Sequence, residues 1–270
     1  MPRGICGLCL KEAELRDSHY LPQAAYAANR AESLKNPHPV ALLGTRAIQT
    51  SEQLRGHAYC GFCEDLFNRN GERWVLARLS NGYKEDFPLQ EAIVSATPAQ
   101  IGDSINVYEG RKLPAFDMDQ LIYFGLSIFW RGASREWKSR IGLPAPPVDL
   151  NEFYEPIRKF LLGGPFPDHV YMTVLVHNLK PVPNAVLAVH TGVSGYGDFY
   201  WFYCNGLGYM LFLGEHIPAD QRKLCAHHGT NGPVVVDGAF GALFHEYLRD
   251  GMQRLKMSPS VEKLAKGLRE

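Results

Sequence analysis

The segments Cys6-Gly-Leu-Cys9 and Cys60-Gly-Phe-Cys63 decide how the first 80 residues of this chain fold. Zinc in structural sites takes four ligands at tetrahedral corners, and cysteine thiolates are among the ligands that it binds. A spacer of two residues lets one tight turn aim both sulfurs of a pair at the same ion. The two pairs therefore predict one structural zinc ion, with all four cysteines as its ligands.

Two other interpretations of the four cysteines remain open at this level. They could be unrelated thiols, or two redox pairs, although redox Cys-x-x-Cys pairs usually lie in a βαβ context that is absent here. A first pair followed by a strand, with a second pair that opens a helix, is typical of a treble-clef zinc unit. The 50 residues between Cys9 and Cys60 exceed the usual spacing, and an insertion at residues 34–52 accounts for the excess.

The composition restricts the choice of partners. Lys plus Arg and Asp plus Glu both number 28 among 270 residues, so the formal net charge is zero. This balance argues against tight non-specific DNA binding by the whole molecule, although it leaves room for a local basic patch.

The longest apolar stretch, Leu121–Trp130, is far shorter than the roughly 18 residues that cross a bilayer.

The region before the first cysteine pair contains no apolar signal segment. Paired cysteines in a chain that is not exported are more typical of metal sites than of disulfides. We therefore expect a cytoplasmic protein that has no membrane partner.

Three regions follow one another along the chain, and together they predict an α+β fold. Residues 1–80 form the predicted zinc unit, with a strand at Leu15–Tyr20, a helix within Leu21–Ser33, a loop or variable insert at 34–52 and a helix at about Phe62–Leu79. Gly71 weakens the middle of that last helix, because glycine is a poor helix former. Residues 81–165 are predicted to be mainly helical.

Two helices are predicted in this middle region. Asp117 is a favourable N-cap for a helix that continues through Trp130, and apolar residues all around this helix predict that it lies in the core. Asp149 caps a second helix, which Gly163 and Gly164 end.

Residues 166–270 are predicted to form a β-rich region with C-terminal helices, and within 166–237 we expect an antiparallel sheet of four or five strands. Val170–Val176 and Ala185–His190 are rich in β-branched residues. Asn205-Gly206 joins the apolar runs Phe199–Cys204 and Leu207–Leu213, and Asn-Gly between two such runs is the strongest short-range hairpin signal. Ala239–Lys256 predicts an amphipathic helix that packs on this sheet.

The N-terminal segments resemble the zinc-stapled HNH-type endonucleases. Members of that family carry Cys-x-x-Cys, an Asp-His-x-x-Pro-like segment, and Leu-Cys-x-x-Cys with an Asn or His on the following helix. The corresponding stretches here are Cys6–Cys9, Asp17-Ser-His-Tyr-Leu-Pro22 and Tyr59–Asn68. The resemblance covers about the first third of the chain, and it implies a ββα-metal fold for residues 1–80.

The resemblance also implies how the chain would act on DNA. His19 would be the general base that activates water for attack on a phosphodiester, a role that suits a neutral imidazole. A divalent ion held by the helix after Cys63 would neutralise charge on the phosphate. Glu64, Asn68 and Glu72 are spaced to share one face of that helix, so Glu64 and Asn68 are candidate catalytic residues. Oxygen ligands of this kind suit Mg²⁺ or Mn²⁺.

The chain also departs from the family pattern. Ser18 directly precedes His19 where the family often has Asp, Glu64 follows the second pair in place of Asn or His, and no second His lies on that helix. His19 could instead bond a backbone carbonyl or replace a cysteine on zinc, and the Glu64, Asn68 and Glu72 row could be a solvated helix face. The alternative hypothesis is therefore a non-catalytic zinc-binding module for protein or nucleic-acid interaction.

Overall fold

The secondary structure combines helices with three sheets, which confirms the predicted α+β class. The structure is a computed structural model that describes residues 1–29, 40–43, 46–80, 86–101, 105–140, 144–177, 182, 185–194, 197–226, 234–238, 256–259 and 261–262. The strands are β1 (Arg3–Ile5), β2 (Glu12–His19), β3 (Val40–Leu43), β4 (Arg46–Gln49), β5 (Arg55–Cys60), β6 (Gln100–Ile101), β7 (Ile105–Glu109), β8 (Val170–Val176), β9 (Val186–Ser194), β10 (Gly197–Cys204), β11 (Leu207–Leu213), β12 (Val234–Gly238) and β13 (Lys256–Met257). The helices are α1 (Gln23–Ala27), α2 (Gly61–Phe67), α3 (Arg73–Leu76), α4 (Pro88–Val94), α5 (Met118–Ser134), α6 (Tyr154–Leu161) and α7 (Ala219–Lys223).

The N-terminal unit consists of a small antiparallel sheet and the helix that follows it. The strand order is β1-β2-β5, and β2 pairs with β5 from Leu15 opposite Cys60 to His19 opposite Arg55. The pairing register shifts between Leu15 and Asp17, as happens at a β-bulge, which bends a strand and re-aims its side chains. Strand β5 runs directly into α2, so the order β2, β5, α2 forms a ββα arrangement.

The predicted helix at Phe62–Leu79 is present but interrupted. A π-helical turn at Asn68–Glu72 joins α2 to α3, so the helical segment runs from Gly61 to Leu76. Gly71 lies in this turn and is buried against α5. A π-turn inserts an extra residue into the helical repeat, and such turns are frequent at functional sites.

The second sheet has seven strands among the described residues, in the order β6-β7-β12-β8-β11-β10-β9. The predicted strand at Val170–Val176 and the hairpin at Asn205-Gly206 are confirmed, and Asn205 has the positive φ of 40° that such turns require. The expectation of four or five antiparallel strands is wrong in two respects. β6 and β7 come from the region predicted to be mainly helical, and β12 pairs in parallel with β8.

Helix α5 lies between the N-terminal unit and the seven-stranded sheet, as its apolar circumference predicted. Asp117 caps it by accepting a hydrogen bond from the Gln120 backbone N–H (3.1 Å). Its Phe124 approaches Gly71 on one side and Tyr209 of β11 on the other, where the ring centroids are 5.8 Å apart. Every residue from Leu121 to Gly132 is buried.

The remaining predictions had mixed outcomes. Asp149 accepts a hydrogen bond from the Asn151 backbone N–H (2.9 Å) at the 3₁₀ turn before α6, and the Gly163 and Gly164 N–H groups bond to carbonyls of its last turn. A loop or variable insert was expected at residues 34–52; the loop is wrong where the chain is described, because β3 and β4 pair there and β13 adds a third strand, while the insert stays a prediction. The helix predicted at Ala239–Lys256 lies outside the described residues except for its last residue, Lys256, which begins β13.

One hydrophobic core draws buried residues from all three predicted regions, among them Tyr59, Trp130 and Tyr209. The boundaries between residues 80 and 81 and between 165 and 166 stay predictions. Within the described ranges, no helix has the length and apolarity needed to cross a bilayer.

Candidate metal centre and the adjoining polar cluster

The four cysteines of the two pairs lie together, with every sulfur within 4.8 Å of the other three. With Zn–S bonds of about 2.3 Å, the sulfurs of a tetrahedral site lie about 3.8 Å apart. The distance between the sulfurs of Cys9 and Cys60 is 3.9 Å, which fits that edge and is far longer than a disulfide bond. The cluster can therefore hold a metal ion such as zinc, as the spacing predicted.

Two local backbone structures aim the sulfurs at one point. The first pair sits in a turn after β1, where the Leu10 N–H donates to the Cys6 carbonyl (2.9 Å) and Leu10 has a positive φ of 59°. The second pair spans the junction between β5 and α2, with Cys60 extended as the N-cap and Cys63 in the first helical turn. The Gly7 N–H donates to the Ala58 carbonyl (3.0 Å) and joins the two structures.

The environment of Cys6 favours a thiolate, which is the form of cysteine that binds metals. A hydrogen bond with the Cys63 thiol, together with backbone N–H donors, lowers the pKa of Cys6 to about 4. One of those donors is the Cys60 N–H, which lies 3.3 Å from the Cys6 sulfur. Burial raises the pKa of Cys9, so the sulfurs are not equivalent before an ion binds.

His19 lies at the end of β2 and is half-buried. The group of four sulfurs is complete without it, so the structure does not favour the alternative that His19 replaces a cysteine on zinc. Burial lowers the pKa of the imidazole, and the positive charges of Arg55 and Arg131 act in the same direction while Asp17 and Glu72 oppose them. The ring is therefore neutral at pH 7, with Arg55 and Asp17 paired beside it (2.7 Å).

The acidic residues after Cys63 differ in their surroundings. The Ser18 hydroxyl donates a hydrogen bond to Glu64, and burial raises the pKa of that carboxyl, while Arg131 opposes the shift. Asn68 is exposed, whereas Glu64 and Glu72 are partly buried. The π-helical turn begins at Asn68, so it changes the register between Asn68 and Glu72 from that of the regular helix on which the shared face was expected.

Arg131 of α5 is the residue of this cluster that sequence reasoning missed. Its side chain is 2% exposed and forms an ion pair with Glu72, while its guanidinium lies 4.0 Å from the centroid of the Phe67 ring. Its second terminal nitrogen donates to the carbonyls of His19 (3.3 Å) and Tyr20 (3.5 Å). A single arginine inside an otherwise apolar helix was the available signal, because arginine is almost never fully buried unless it is paired.

These side chains do not form a second preformed metal cage. Across the described part of the chain, the four cysteines are the only group of three or more His, Cys, Asp or Glu residues whose ligand atoms come together. A divalent ion at His19, Glu64 and Asn68 therefore stays a prediction.

Comparison with protein-family models, curated proteins and solved structures finds no match to this chain.

Proposed function

We propose that residues 1–80 form a treble-clef zinc unit of the HNH kind, and that this unit cleaves phosphodiester bonds in DNA with His19 as general base. The observation that carries this proposal is the position of His19 in the ββα arrangement. His19 ends β2, the paired strand β5 runs into the helix that carries Glu64, and the four-sulfur cluster joins the turn before β2 to the β5–α2 junction.

The electrostatics of His19 support the role of a base. A general base must be unprotonated before the reaction and must reach the attacking water. Burial keeps the pKa of this imidazole below its usual value, and partial exposure leaves the ring accessible from solvent. Among the described residues, none forms a hydrogen bond to the ring.

The proposed Mg²⁺ or Mn²⁺ would assemble together with the substrate. Magnesium usually keeps several waters and binds through one or two carboxylates plus the phosphates of its substrate. Glu64 and Asn68 offer oxygen ligands on the helix next to His19, and the ion would supply charge neutralisation at the phosphate. Such an arrangement does not need three protein ligands gathered before the substrate binds. It is therefore consistent with the four cysteines being the only such ligand group among the described residues.

A plasmid-nicking assay on the full chain tests the proposal. The purified protein, with its zinc content measured, is incubated with supercoiled DNA and Mg²⁺ or Mn²⁺. We expect His19→Ala to abolish nicking while the zinc content stays the same. His57→Ala is the matched control, because His57 is exposed on the neighbouring strand β5, opposite Asp17. Loss of zinc from His19→Ala would make His19 a ligand and refute its role as base.

The second candidate is a non-catalytic zinc module that holds together a surface for protein or nucleic-acid binding. The ion pair between Glu72 and Arg131 favours it, because this pair gives one carboxylate of the helix a structural role. A folded, zinc-loaded protein that cuts neither DNA nor RNA with either divalent ion would support this candidate against the first.

A further inference from the structure

Arg131 connects the residue proposed as the base to a helix outside residues 1–80. The chain separates Arg131 from His19 by more than one hundred residues, yet the guanidinium contacts the His19 and Tyr20 carbonyls where β2 ends. His19 forms the last pair of the β2–β5 ladder, and beyond it the Tyr20 N–H donates to the Leu54 carbonyl (2.9 Å), so Arg131 adds bonds to the carbonyls on the other side of the chain. A group that fixes these two carbonyls also fixes the backbone from which the His19 side chain extends.

Arg131 is itself held rigidly from several directions. Glu72 pairs with one terminal nitrogen, the Phe67 ring lies under the guanidinium, and the Arg131 carbonyl accepts a hydrogen bond from the Trp137 indole N–H (2.7 Å). The planar guanidinium presents several donors in a fixed fork, a geometry that lysine cannot reproduce. Packing fixes the geometry of a buried, paired arginine of this kind. Such an arginine therefore holds a neighbouring backbone in place better than an exposed arginine does.

We propose that Arg131 is a positioning residue for His19, so that α5 completes the catalytic unit. This inference rests on the proposed function and identifies a residue on which that function depends. The Glu72 carboxylate orients the guanidinium, and the guanidinium holds the end of β2. Displacement of a catalytic group by about 1 Å can lower a rate by about 100-fold, so small shifts of β2 matter.

The test compares cleavage kinetics of three variants of the full chain. Glu72→Gln alone is the reference, since its amide oxygen can still accept from Arg131. Arg131→Met in the Glu72→Gln background removes the guanidinium without leaving a buried charge unpaired, which protects folding. We expect kcat to fall about 10- to 100-fold below the reference, with KM nearly unchanged. Arg131→Lys in the wild-type background should recover part of the rate, because it keeps the charge and a donor.

Arg135→Met is the matched control. Arg135 also donates to a backbone carbonyl of the N-terminal unit, but that carbonyl belongs to the exposed His57 of β5 (2.6 Å). This variant should keep the wild-type kcat. If Arg131→Met in the reference background is folded, binds zinc and keeps the reference kcat, the inference is wrong while the proposed function stands.

A second measurement separates the inference from the proposed function. NMR signals of the His19 ring should shift in the Arg131→Met double variant relative to Glu72→Gln, while those of His57 should not. If the wild-type protein cuts no substrate, the proposed function fails, and the positioning of His19 by Arg131 is then decided by these signals. Unmoved His19 signals would overturn it.

Discussion

Replacement of Gly71 by alanine should destabilise the protein, although the same change normally stabilises a helix. Gly71 lies in the π-helical turn where the N-terminal helix crosses α5. A β-carbon at this position would lie 2.9 Å from the backbone nitrogen of Phe124 and 3.0 Å from its α-carbon. These atoms belong to the backbone of a buried helix, so they cannot move aside as a flexible side chain could.

The expected magnitude follows from two opposing effects. Alanine is favoured over glycine in a helix by about 0.8–1.0 kcal/mol. Overpacking of a core typically costs about 1–3 kcal/mol, and contact with rigid backbone belongs in the upper part of that range. The net effect is a loss of about 1–2 kcal/mol in the free energy of unfolding, or a fall in Tm of roughly 2–8 °C for a chain of this size.

Urea unfolding followed by circular dichroism measures this loss, with zinc content monitored in parallel. Gly61→Ala is the matched control on the same helical segment, because the three nearest atoms to a β-carbon there belong to the flexible Arg16 side chain, the closest at 3.4 Å. We expect the control to lie within about 0.5 kcal/mol of the wild type, as surface changes usually do. A Gly71→Ala protein as stable as the wild type would refute the close approach of the two helices.

Three further outcomes are expected. Cys60→Ser should lose the bound zinc and lower Tm, measured by metal analysis and thermal unfolding, whereas Cys204→Ser, which removes a buried thiol outside the cluster, should keep one zinc per chain. Asn205→Ala should cost about 2–3 kcal/mol in urea unfolding, because it places alanine at positive φ and removes the hydrogen bond to the Ala25 carbonyl. Asn205→Gly should cost less, and equal losses would contradict the role of φ. Burial lowers the pKa of His190, so the unfolded chain binds its proton more readily and the free energy of unfolding should fall as pH drops below about 6.5, by at most about 1.4 kcal/mol per pH unit. His190→Gln should reduce that fall between pH 7.5 and 5.5, and an unchanged fall would contradict the shift.

The features that the sequence predicted correctly have local causes. The Cys-x-x-Cys spacing fixes two sulfurs through one turn, Asn205-Gly206 fixes a hairpin through its φ angles, and Asp117 caps α5 through a bond three residues away. Each signal is contained in a few neighbouring residues. Such signals needed no knowledge of the rest of the chain.

The features that the sequence missed depend on distant partners. β7 is a run of only five residues that pairs with the short β6 nearby and, along all five residues, with β12 from more than one hundred residues away. Arg131 likewise takes its partners, Glu72 and the end of β2, from distant parts of the chain, although its position in an apolar helix signals that it is buried and paired. The close approach of Gly71 in the π-helical turn to Phe124 of α5 also joins distant segments.

The place of β12 in the large sheet has a consequence for synthesis on the ribosome. β12 lies between β7 and β8, although both of those strands leave the ribosome before it does. Until residues 234–238 emerge, each neighbour presents an open edge that can recruit strands from other nascent chains. The strands β1, β2 and β5 and the helices α2 and α5 have already emerged by then, so early folding of the N-terminal half would shield the large sheet until β12 completes it.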